Sequence, residues 1–208
     1  MDAVSVWWGK IGLQSKLQIL IQGFLIVVLV AAQHWITIQF EHHVLRAAED
    51  RAKVAADGAI NGLNTLMITK VNKDEEVISN QKSRAMFIEK MGKSENIKEM
   101  RIIRAKQLDS EFPEGLPQEQ PVDDMDRKVL ASGKEEAMLI RDRDGAASLR
   151  TVVPFIAKKE FRSIKCLECH GVDEGFVLGA ASVTIDVRDD LAIIEKLNIW
   201  IWVGQGVL

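Results

Sequence analysis

The chain's only two cysteines stand in the run Cys166-Leu167-Glu168-Cys169-His170. Two thiols three positions apart on one turn can add to the two vinyl groups of a single haem. The adjoining histidine is then placed to ligate the iron, which is why the spacing reads as c-type haem attachment. A neutral imidazole is an ordinary axial ligand. Other chemistries open to these residues fit less well. A structural zinc site takes four ligands, and the remaining histidines, His34, His42 and His43, lie far upstream in or beside an apolar segment. A thioredoxin-like redox pair wants a preceding βα unit and gives His170 no role. A plain disulfide is open to any exported chain.

A second axial ligand is harder to read. His42 and His43 suit solvent or lipid headgroups, and His34 suits packing against a neighbouring helix. Methionine is the other common choice. Of the seven methionines, Met1, Met100, Met125 and Met138 have no evident claim, whereas Met67, Met86 and Met91 fall on two helices expected to cover the haem. The default role of a single methionine is core filling, so two of these three are filler whichever one ligates. Water or an open position are the alternatives. No nucleophile–base arrangement of recognised spacing is present, so no catalysis is expected. Asp123, Asp124 and Asp126 read as a solvated helix start, where negative charge suits the helix dipole.

The elements that must carry the site begin with an apolar stretch. From Leu17 to Phe40 the chain has no Asp, Glu, Lys or Arg. A bilayer core of roughly 30 Å is crossed by about 20 helical residues, so residues 17–40 are long enough to span it, with 1–16 as a cytoplasmic N-terminus. Lys10 and Lys16 precede the stretch and Glu41, Glu49 and Asp50 follow, which places the remainder outside. A cleavable export signal ending at Val30-Ala31-Ala32 is the alternative, and it agrees on export. Residues 197–208 form a second apolar stretch with Trp200 and Trp202. They are too short to span alone as a helix, and read as an interfacial segment or the start of a second span.

Between the two stretches, Leu45, Ala48, Ala52, Ala55, Ala59, Leu63 and Leu66 recur at helical spacing, and no proline occurs before Pro113. One helix running from the bilayer to about Thr69 is expected. A narrow seam of this kind usually meets a partner helix, so a homodimer through this helix is expected too. Lys70 to Asp74 reads as a polar turn, followed by a helix to about Met91. Met100 to Ala105 reads as a strand, and Pro113, Gly115, Pro117 and Pro121 mark a loop. Asp124 to Ser132 reads as a short helix stopped by Gly133. Ala137–Arg141 and Leu149–Ile156 read as strands flanking a hairpin signal at residues 142–145. Gly175 to Val187 contains another strand, and Arg188 to Lys196 a helix. The fold class is α+β: long helices on a small antiparallel sheet.

With these motifs in order, the chain resembles the periplasmic c-type haem sensor domains of bacterial chemoreceptors and sensor kinases. The resemblance rests on residues 61–67, 87–91 and 100–104, on Cys166-Leu167-Glu168-Cys169-His170 and on Gly179-Ala180, and it covers about residues 41–196. It implies a PAS-like fold, one covalent haem on Cys166 and Cys169, His170 as proximal ligand, and a distal ligand that is water or a methionine of the N-terminal helix, a position Met67 occupies. It also implies an inner-membrane protein with its sensor domain in the periplasm, responding to redox state or a small gas. No adaptor domain, coiled coil or kinase follows within the 208 residues. The chain therefore reads as the front of a receptor or as a free-standing anchored cytochrome that transfers electrons, alone or as an accessory subunit of a membrane redox complex. A net charge of −3 argues against a nucleic-acid partner, which usually demands a basic surplus.

Overall fold

A computed structural model describes residues 12–72, 75–112 and 115–207. They fall into two compact units. One joins the chain up to His43 with Ala192 onward, and the other is Val44–Leu191.

The first unit is built from parts of two helices, the start of α1 (Leu13–Ile68) and the end of α5 (Arg188–Val207). The charge-free stretch gives α1 an exterior on which Leu20, Phe24, Val27 and Trp35 are all exposed, and α1 is long and apolar enough to cross a membrane. It runs unbroken past Ala32, the end of the alternative cleavage signal. Gln33 of the same stretch is buried instead. It is 5% exposed, and its Nε2 donates to Asn198 Oδ1 of α5 at 2.6 Å. In an apolar surrounding such a pair supplies each side chain with the partner that water cannot.

The second unit carries a four-stranded antiparallel sheet of β3 (Ile97–Arg104), β4 (Glu136–Arg141), β5 (Ala147–Ile156) and β6 (Val177–Asp186), in the order β3-β6-β5-β4. Of the central strands, β6 is buried over nearly its whole length and β5 over residues 147–152, with its last four residues half-buried. Small residues bring α1 close to one face. Ala48, Ala52, Ala56 and Ala59 are essentially fully buried and share a core with Met100, Leu149, Val183 and Ile185. The seam legible in the sequence therefore exists, with Ala56 in it and Ala55 only at its edge. It is covered by the chain's own sheet, so it no longer calls for a partner helix.

The remaining elements sit close to their expected places. A short hairpin, β1 (Lys70–Asn72) with β2 (Glu75–Glu76), replaces the simple polar turn, and Asp74 lies outside the described residues. Helix α2 spans Gln81–Gly92, with the Asn80 side chain accepting from Ser83 N. Helix α3 spans Asp124–Ser132. Asp123 caps it by accepting from Asp126 N, and Gly133 stops it in the left-handed conformation at φ 63°, as a C-terminal glycine does.

One aspartate departs from the solvated reading. Asp124 is exposed, but Asp126 is 0% exposed. Its carboxylate takes Arg101 of β3 at 2.5 Å and Arg150 of β5. Two strands supply the cations, so no local pattern announces this network.

Gly179 lets β6 lie tight against β3. A Cβ there would stand 2.4 Å from the Ile103 carbonyl oxygen, and a backbone atom in mid-sheet cannot step aside. Gly179→Ala should destabilise the domain by about 3 kcal/mol, the upper range for overpacking, as read by chemical denaturation.

Candidate cofactor site

The attachment run sits on α4 (Cys166–Cys169), a single turn in which the His170 N–H closes onto the Cys166 carbonyl at 3.0 Å. The segment before it turns sharply. Arg162 and Ser163 hold left-handed backbone at φ 51° and 65°, and Phe161 and Ile164 bond to each other across the turn. Arg162 fastens this loop to α1 by a two-pronged contact with Asp57, both at 2.7 Å. Its guanidinium also lies 5.0 Å above the Phe161 ring. The short turn is thus positioned by helix and sheet together.

Cys166 is buried and Cys169 exposed, and both are free thiols. Together with His170 they line a cavity of about 430 Å³, inside the ~300–1,000 Å³ range of cofactor and small-molecule sites. Its other walls come from α1 (Ile60, Leu63, Asn64, Met67), from β3 (Ile102, Ile103, Arg104) and from the start of β6 (Leu178, Gly179, Ala180). All four residues singled out from the sequence, Cys166, Cys169, His170 and Met67, therefore face one space. Of the other two methionine candidates, Met86 is exposed and Met91 is half-buried against the core. Met67 alone of the three lines the cavity.

His170 is half-buried. Burial pushes its imidazole below the ordinary value, against the opposing charge of Glu111. It is therefore neutral at neutral pH, the form that ligates a metal. The Phe112 ring meets it edge-on at 5.1 Å between centroids. Its Nδ1 is buried without a hydrogen-bond partner, and so is Asn64 Nδ2 in the opposite wall. Buried polar atoms without partners are costly and are expected where a ligand completes the site.

These residues fit a c-type haem. Two thiols on one turn, a neutral imidazole beside them and a largely apolar cavity are the required donor set. The cations at the walls are each held by a carboxylate: Arg84 by Glu119, itself a wall residue, Arg104 by Asp109 and Lys165 by Glu168. Glu111 and Phe112 were not legible in the sequence, because they reach the site from a segment far from residue 166. No family model matches the chain, and no curated protein matches it.

Proposed function

We propose that Val44–Leu191 is a c-type haem domain, PAS-like in fold, that senses redox state or a small gas and is anchored in the inner membrane with this domain in the periplasm. The observation that carries the reading is the gathering of Cys166, Cys169, His170 and Met67 around one cavity. Cys166 and Cys169 hold the haem through thioethers, and His170 supplies the proximal nitrogen. The bound haem contributes reversible one-electron chemistry and an iron position open to exchange.

Met67 lies on the same helix, α1, as the apolar stretch. A change at Met67 therefore acts on an element continuous with the anchor. A signal of this kind is a bias between two arrangements of one element, set by their different contacts with the ligand. A homodimer would have to use a face other than the alanine seam.

Electron transfer is the competing function for the same site, and ligand exchange separates the two. Optical spectra of the full chain, oxidised and reduced, before and after carbon monoxide or nitric oxide, should show a change of ligation for a sensor. A haem that stays six-coordinate and unchanged throughout would leave electron transfer as the function.

Met67 has its own test. A methionine axial ligand raises the reduction potential, so Met67→Ala should lower the midpoint in a potentiometric titration and convert the low-spin spectrum to high-spin. Unaltered spectra would remove Met67 from the iron.

A further inference from the structure

Glu111 follows the short helical turn Lys106–Ser110 and stands beside Phe112, whose ring meets His170. Its Oε2 accepts the Gly171 N–H at 3.3 Å and lies 4.0 Å from His170 Nδ1. That nitrogen is the buried one with no hydrogen-bond partner. The approach is close: a Cβ on Gly171 would stand 2.9 Å from Glu111 Oε1, so the carboxylate packs directly against the backbone that follows His170. The carboxylate is thus already tied to the backbone next to the imidazole, on the side of the ring nitrogen that would not face the iron.

We propose that Glu111 is the positioning residue for His170, accepting its Nδ1–H and so fixing the tautomer that leaves Nε2 free for the iron. This rests on the haem reading and adds the electronic setting of the proximal ligand. A histidine that ligates a metal commonly donates its other N–H to a carboxylate, which orients the ring and raises its basicity. Such contacts are long in the unliganded state and shorten when the site is complete. A more basic imidazole favours the oxidised iron, so Glu111 holds the midpoint potential down.

The test uses the full holo-chain and compares Glu111→Gln with Glu111→Ala, both in a Met67→Ala background so that the ferrous iron offers an open position. Glutamine keeps an oxygen for the Gly171 N–H but removes the anionic acceptor. Both variants should retain covalent haem, raise the midpoint potential and lower the iron–histidine stretching frequency in resonance Raman spectra. If the glutamine variant matches its parent and only the alanine variant shifts, Glu111 merely braces the loop and the proposal is overturned. A potential that moves while the iron–histidine stretch does not would overturn it as well, since charge alone then acts at a distance. A parent chain without covalent haem defeats the haem reading itself, an outcome distinct from either of these.

Discussion

Replacing both Cys166 and Cys169 by alanine should abolish all haem colour that survives acid–acetone extraction, while the protein remains folded. The expectation follows from the placement of the two sulfurs. They lie on one turn, both face the cavity, and they are the chain's only thiols, so no other residue can form a thioether. Each single variant should retain haem through the remaining thiol, with a shifted absorption band that reports one unsaturated vinyl group. His170→Ala should behave differently from all three. It leaves both thioethers possible, so colour should stay covalent while the loss of the proximal nitrogen changes the spin state. Chains matured in a host that attaches c-type haem, extracted and compared by pyridine haemochrome spectra, would check the whole set. The fold should tolerate the thiol changes. Cys169 is exposed, and Cys166→Ala removes only a small buried atom beside Leu108, Ala157 and Leu178.

A stability effect of similar weight is expected where no cofactor is involved. Asp126→Ala should cost about 3–5 kcal/mol, the range for removing one partner of a buried ion pair. The carboxylate is 0% exposed and Arg150 only 8%. Arg101 and Arg150 both bond it, and it also accepts the Val122 N–H at 3.0 Å. Taking it away leaves guanidinium groups poorly matched in a low-dielectric place. Arg150 retains Asp123 and the Ser182 hydroxyl, which moderates the loss, whereas Arg101 loses its carboxylate partner. Denaturant unfolding followed by circular dichroism would measure the cost. Adding Arg150→Met to Asp126→Ala should cost less than the sum of the two single changes, because the second removes a charge the first has stranded. Strict additivity would mean that the two side chains do not interact.

The sequence made the site's centre legible because its chemistry is local. Cys166, Cys169 and His170 fall within five residues, and one turn of backbone brings them together wherever the rest of the fold lies. Met67 was legible only as one of three methionines, and the cavity separates them: Met86 is exposed and Met91 is half-buried against the core. Glu111 and Phe112 carry no signal of this kind. They reach His170 across a gap of 58 or more residues, and nothing in an Asp-Ser-Glu-Phe run says what it will touch. Sixty positions of sequence separate Glu111 from the Gly171 N–H it accepts.

The same division holds for the fold. The boundaries of α3 followed from Asp123 and Gly133, which act on their own neighbours, and the antiparallel hairpin of β4 and β5 followed from the turn between them. The alanine seam of α1 was visible as a period, but a period states which face is buried and not what buries it. The sheet covers it here. Asp126 was misread for the same reason. Its place at a helix start is a local fact, while its two arginines arrive from β3 and β5 and could be found only once those strands were folded beside it.

The proposed function requires a haem bound covalently to the turn that opens with Cys166. Mass spectrometry of the protein matured in a haem-attaching host tests it most directly. The intact chain should be heavier by one haem, and the added mass should map to the proteolytic peptide containing Cys166, Cys169 and His170. A chain at its bare polypeptide mass, with both thiols free to alkylate, would contradict it.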